Sequence, residues 1–116
     1  MSIPVRVTFQ DMDTSEALRA RIEARAQRLE RYADDILACD IVVRACERRH
    51  RHGNRYNVQA KVAMRDHTIE AGRTPAADSD HEDPYKAAAH TFDVLRRRIE
   101  DHVRRRRGDI KRHARD

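Results

Sequence analysis

Every apolar run in this chain is one-sided. In Ile3-Pro4-Val5-Arg6-Val7-Thr8-Phe9-Gln10 the apolar residues recur at every second position, so Ile3, Val5, Val7 and Phe9 share one face of a strand. Pro4 is tolerated at a strand's first residues or on an edge. In Ala38–Glu47 the residues Cys39, Ile41, Val43 and Ala45 share a face. Tyr56, Val58, Ala60, Val62 and Met64 alternate with Asn57, Gln59 and Lys61 in a third strand, and a shorter fourth follows over Thr68–Arg73 after a tight Asp66-His67 connection. Two other stretches repeat at helical spacing. Leu18, Ile22, Ala26, Leu29 and Ala33 mark a helix through about Tyr32; Ala88, Phe92, Leu95, Ile99 and Val103 mark one from Pro84 to about Arg107. An element with a single apolar face must bury it against another element. The order β-α-β-β-β-α therefore predicts an α+β two-layer sandwich, a four-stranded sheet with two helices on one face.

The helix ends carry their own signals. Asp13, with Glu16 three residues on, is the expected N-cap of the first helix. Asp83 followed by Pro84 reads as N-cap then first helical residue, where proline's missing N–H costs nothing. Gly108 is the expected stop of the last helix, which divides the chain into a domain over 1–107 and a short basic tail over 108–116. At 116 residues the chain is one domain. Without Trp and with only two Phe, its core is thin and leaves little volume for a deep substrate cavity. No apolar run approaches the roughly 18–20 residues of a membrane span. The N-terminal residues lack the basic flank and apolar core of an export signal.

Charge is where function enters. Residues 96–116 hold ten Lys/Arg against four acids, a net of +6, which leaves the first 95 residues at −1. Charge gathered in one element prepares a surface for an anionic partner. Arg21, Arg25, Arg28 and Tyr32 fall along one flank of the first helix, and Lys86, His90, Arg97 and Arg104 form an outward row on the last, with Arg98 and Arg105 on its flank. The pairs Asp93–Arg97, Glu100–Arg104 and Asp101–Arg105 are spaced for i,i+4 contacts. They leave Arg96, Arg98, Arg106, Arg107, Lys111 and Arg112 without local partners. Arginine outnumbers lysine 22 to 3, and its planar fork suits bidentate phosphate contacts and stacking on bases. These features point to nucleic acid.

Other chemistries find little support. His50 and His52 sit among arginines, which repel a cation, and no further ligands stand at metal-binding spacing. The acids Asp78, Asp80, Glu82 and Asp83 lack the alternating ligands and central glycine of a calcium loop. Ser occurs only at Ser2, Ser15 and Ser79, with no nucleophile-elbow context, and three glycines in all leave no glycine-rich phosphate loop. The sequence therefore points to a binding protein with no cofactor and no metal rather than to an enzyme. Cys39 and Cys46, an odd seven residues apart, fall on opposite faces of a strand and read as free thiols in a reducing compartment.

With the elements in order, the chain resembles the ribosome hibernation promoting factor / ribosome-associated inhibitor family, also called the sigma-54 modulation family. The resemblance rests on Glu16-Ala17-Leu18-Arg19 and Arg28-Leu29-Glu30-Arg31-Tyr32 in the first helix. In the last it rests on His81-Glu82-Asp83-Pro84-Tyr85-Lys86-Ala87-Ala88 and Asp93-Val94-Leu95-Arg96-Arg97. It covers about residues 3–107. Val94 stands where the family often has lysine, and Ala89 where it has an acid or Asn. The resemblance implies a fold like that of double-stranded-RNA-binding domains. It also implies a bacterial cytoplasmic protein that binds the small ribosomal subunit, its 16S rRNA and neighbouring proteins, in the channel for messenger and transfer RNA. Occupying that channel blocks translation under stress or in stationary phase. The matching basic positions are Arg19, Arg25, Arg28, Arg31 and Arg97; adding the rows read from spacing gives Arg21, Tyr85, Lys86, Arg96, Arg98 and Arg104. The short basic tail fits the family's short, hibernation-promoting type. Two alternatives are a generic double-stranded-RNA-binding module and a regulatory protein linked to a sigma factor.

Overall fold

A computed structural model describes residues 3–47, 54–72 and 83–115; the His50/His52 loop and the acids at 78, 80 and 82 lie outside them. The elements are β1 (Val5–Gln10), α1 (Glu16–Arg28) continued by a 3-10 turn (Leu29–Arg31), β2 (Ile36–Glu47), β3 (Asn54–Met64), β4 (Thr68–Ala71) and α2 (Pro84–Arg115). The strands lie in the order β1-β2-β3-β4. β1 and β2 are parallel, and the other two pairings are antiparallel. The α+β sandwich expected from the one-sided patterns is the observed fold.

Register explains how one face becomes the core. Val7 pairs with Ile41, Ile41 with Ala60, and Ala60 with Ala71, so one row of inward residues crosses all four strands. All four are at most 5% exposed. Against this face α1 lays Leu18, Ile22, Ala26 and Leu29, and α2 lays Ala87, Ala88, Phe92, Leu95 and Ile99. Side chains such as Ile22, Leu95 and Ile99, with no exposed surface, each contribute about 1.5–3 kcal/mol by leaving water. Alanines on both partners, Ala60 and Ala71 below and Ala87 and Ala88 above, let α2 lie close over β3 and β4. The Thr91 hydroxyl, buried in this contact, donates to the Val58 carbonyl at 2.8 Å. It does so just past the end of β4, whose pairing with β3 stops at Ala60–Ala71.

Several ends differ from the sequence expectation. The first strand starts at Val5 rather than Ile3, because the Gln27 side-chain amide takes both backbone groups of Ile3, accepting from its N–H at 2.8 Å and donating to its carbonyl at 2.7 Å. Pro4 between them has no N–H to offer a ladder. Ser15, not Asp13, caps α1: its hydroxyl accepts from the Leu18 N–H at 3.2 Å. Asp11, at φ 58°, turns the chain out of β1 before that cap, a conformation aspartate tolerates. The expected cap at Asp83 is present, its carboxylate accepting from the Tyr85 N–H at 2.8 Å.

Gly108 does not stop α2, which continues to Arg115. A glycine inside a helix costs only about 1 kcal/mol relative to alanine, less than the hydrogen bonds kept by the residues beyond it. The helix is thus 32 residues long, about 48 Å at 1.5 Å per residue, and it sets much of the molecule's 61 Å longest dimension.

Candidate nucleic-acid interface

The two helices lie side by side and run the same way. The Arg21 guanidinium sits over the Tyr85 ring, 5.4 Å from its centroid, and the Arg96 guanidinium sits over the Tyr32 ring at 5.9 Å. Each pair is 64 residues apart in the chain, so α1 and α2 keep one register over 11 residues, or about 16 Å. Both contacts are within cation–π range. They are reciprocal, since each helix gives one arginine and one tyrosine. Between these clamps lies a cleft of about 240 Å³ lined by Arg25, Arg28, Leu29, Tyr32, Ala89, Phe92, Asp93 and Arg96.

The structure sorts the candidate residues by what already holds them. Arg25, Arg28, Tyr85, Arg96 and Arg97 gather around or beside the cleft, with Arg21 on Tyr85 at its end. Arg28, Arg31, Lys86 and Arg97 are exposed. Among the described residues no carboxylate pairs with Arg21, Arg25, Arg28, Arg31 or Lys86. Lys86, His90, Arg97 and Arg104 are all exposed, as their row predicts. Arg19 faces elsewhere: it donates to the Val7 carbonyl at 3.2 Å, stacks over Phe9 at 5.5 Å and lies 3.6 Å from Glu16. Arg98 reaches the opposite edge and donates to the Glu70 carbonyl on β4.

Several arginines expected to lack partners have them. Arg96 bonds Asp93 at 3.0 Å and Glu100 at 2.5 Å. Glu100 therefore serves Arg96 rather than Arg104, and Arg104 turns instead to Asp101 at 3.4 Å. Asp93 also holds Arg97 at 2.7 Å, the pair the spacing predicts. The hydrogen bond from Arg96 holds the Asp93 carboxyl below its usual pKa, despite some opposing loss of water, with the Arg97 charge helping. Arg106, which has no partner at local spacing, finds two across the fold. Its guanidinium spans Asp35, at 2.8 and 3.3 Å, and Asp66 at 3.3 Å. Arg107 has no carboxylate partner among the described residues and lines a second opening with Arg31, Tyr32 and Val103. Lys111 and Arg112 lie where side chains are not described.

The Arg106 cluster escaped sequence reasoning. Asp35 follows the first helix, and Asp66 sits in the β3–β4 turn, where His102 approaches it at 3.3 Å while stacking on His67 at 4.8 Å between centroids. The Arg106 hydrogen bond, acting against desolvation, lowers the Asp35 pKa. For Asp66, loss of water works against ionisation, yet the His102 hydrogen bond and the Arg106 charge outweigh it and the pKa falls. A signal for this existed in Asp34-Asp35. Two acids at the negative end of a helix dipole are unfavourable alone and call for a cation from elsewhere.

Residues 5–107 match the family described as sigma 54 modulation protein / S30EA ribosomal protein. The chain belongs to this family. Its fold is shared by solved structures of low sequence identity. The N-terminal domain of Protein Y from Thermus thermophilus matches with a TM-score of 0.68 at 19% identity, over 88% of this chain and 99% of that one. A ribosomal subunit interface protein from Coxiella burnetii matches with a TM-score of 0.56 at 22% identity, over 91% of this chain and 99% of that one. No curated protein sequence matches the chain. Among the described residues, no group of three or more His, Cys, Asp or Glu could hold a metal ion, and no helix is long and apolar enough to cross a membrane.

Proposed function

We propose that this protein binds the small ribosomal subunit through the paired α1–α2 face and inactivates the ribosome by occupying the channel for messenger and transfer RNA. The observation that carries the reading is the set of cations on two parallel helices that no carboxylate of the described residues neutralises: Arg21, Arg25, Arg28, Arg31 and Lys86. Membership of a family described as a ribosomal protein supports the ribosome as partner, and a fold neighbour from Coxiella burnetii is itself a ribosomal subunit interface protein. Parallel helices about 10 Å apart offer a rigid basic surface suited to RNA shape and phosphates rather than to base edges. The action is steric and electrostatic, and it requires no bond to be made or broken.

Sedimentation of ribosomes with the purified protein through a sucrose gradient tests this. At low salt the protein should travel with the small subunit, and it should leave as salt rises. A protein that stays at the top of the gradient at low salt sinks the proposal. The same profile shows whether ribosomes pair when it is added.

A further inference from the structure

The cleft between the reciprocal Arg–Tyr clamps is not merely a gap in a basic surface. Its floor is apolar, with Leu29 and Phe92 at most 5% exposed and Ala89 half-buried between them. Its charge is unevenly spent. Arg96 is neutralised by Asp93 and Glu100, whereas Arg25 and Arg28 have no carboxylate partner among the described residues. The Arg25 Nε is buried there with no hydrogen-bond acceptor among the described residues. A buried donor is stabilised by an acceptor, so an anion seated beside Arg25 gains that hydrogen bond as well as the charge.

These features select a ligand class. An inorganic anion would satisfy Arg25 and Arg28 but leave the half-buried Tyr32 and Ala89 facing water. An apolar molecule would cover the floor and strand the guanidinium groups. A cleft of about 240 Å³ lies below the roughly 300–1,000 Å³ of sites for drug-sized ligands, so the occupant is small. We infer that the α1–α2 cleft is a binding site for one nucleotide unit, its phosphate on Arg25 and Arg28 and its base against the half-buried Tyr32 and Ala89. Position 89 matters because of its size and neutrality. An alanine opens the floor one turn before Asp93, where an acid would fill it and pair with the waiting arginines. The unit is either a free nucleotide or a single unstacked residue of a bound RNA. In the second case the inference rests on the RNA-binding reading above.

Calorimetric titration of the full chain with adenosine 5′-monophosphate, inorganic phosphate, adenosine and a single-stranded ten-nucleotide RNA tests it. The expected result is that the monophosphate or the RNA binds at least tenfold more tightly than phosphate or adenosine. Ala89→Asp and Arg28→Gln should each weaken that binding at least fivefold, while Arg6→Gln, on the opposite face of the sheet, should not. Monophosphate binding that Ala89→Asp weakens assigns the site to a free nucleotide; a sensitive RNA with a silent monophosphate assigns it to an RNA residue. Circular dichroism confirms that each variant is folded, and Arg28→Gln alters an exposed side chain that has no ion-pair or hydrogen-bond partner among the described residues. If neither the monophosphate nor the RNA responds to Ala89→Asp and Arg28→Gln, the inference is overturned. Sedimentation of the Ala89→Asp variant with ribosomes separates the two readings. Co-sedimentation of the wild type with no nucleotide response leaves the ribosome proposal standing and removes only the cleft.

Discussion

Arg28→Ala and Arg106→Gln each remove one positive charge, and the structure predicts that only the first changes the salt dependence of RNA binding. Arg28 lies on the helix-pair face, and among the described residues no carboxylate pairs with it, Asp93 in the same cleft being held by Arg96 and Arg97, so in the complex it is free to displace a counterion from a phosphate. Arg106 is held on Asp35 and Asp66, and its charge is already compensated within the fold. Each phosphate neutralised contributes about 0.7–0.9 to the slope of log affinity against log salt. Five cations on the face that have no carboxylate partner among the described residues (Arg21, Arg25, Arg28, Arg31 and Lys86) give a slope of about −3.5 to −4.5. Between 50 and 200 mM salt that amounts to a loss of roughly 100- to 500-fold in affinity. Arg28→Ala should flatten the slope by about 0.7–0.9, whereas Arg106→Gln should leave it within error of the wild type. Fluorescence anisotropy of labelled protein on purified small subunits, at four or five salt concentrations, measures both. Equal flattening by the two variants, with both shown to be folded, would mean that binding follows net charge alone. The assignment of these arginines to different tasks would then be wrong.

The remaining expectations concern the fold that carries the face. Gly72 sits at φ +79°, and a Cβ there would meet the Val58 carbonyl oxygen at 2.1 Å, so Gly72→Ala should cost more than about 1 kcal/mol, read as a lower urea midpoint. Thr91→Val keeps the shape but removes the hydroxyl donor to Val58, and should cost about 1–3 kcal/mol in the same assay. Asp35 and Asp66 have pKa values below the ordinary 3.8, so their contribution is complete above about pH 4 and is lost as pH falls through the lower folded values. Arg106→Gln should therefore flatten the decline of urea midpoint with acid below pH 4; an unchanged profile would refute the cluster's role. Burial, helped by the Asp40 charge, pushes the Cys39 thiol up to about 12, so a thiol reagent at pH 8 should modify Cys39 in the native protein no faster than the chain unfolds.

The architecture was legible because burial is periodic. An inward row such as Val7, Ile41, Ala60 and Ala71 appears in each strand as one phase of an alternation, and tertiary context preserved that phase. What the sequence could not show was which distant residues would meet. The i,i+4 rule found Asp93–Arg97 but misassigned Glu100, because Arg96, one turn before it, is fixed over Tyr32 from the other helix. The capping rule found Asp83 yet chose Asp13 over Ser15, two plausible oxygens separated by a turn whose geometry is set by Asp11. The flank of Arg21, Arg25 and Arg28 was visible on its own helix, but the cleft it helps line exists only because α2 lies parallel at an offset of 64 residues. No local pattern encodes that offset.

Arginine's excess over lysine, 22 to 3, reads at first as a mark of nucleic-acid binding. The structure divides it. Arg96 lies over a tyrosine while donating to two carboxylates, and Arg106 spans two acids from separate connections of the fold. Both tasks need a planar group with several fixed donors, which an ammonium does not provide. Part of the excess therefore serves to join α1 to α2 and to fasten α2 beside the β3–β4 turn. That joining is what gives the other arginines a common direction. Arg25, Arg28 and Arg31 lie on a helix whose buried stripe fixes its core side and whose clamps fix its exposed flank against α2, and a flank held in place can match a fixed set of phosphates. The paired arginines thus act on RNA binding through geometry, so replacing Arg96 should lower affinity while leaving the salt slope nearly intact.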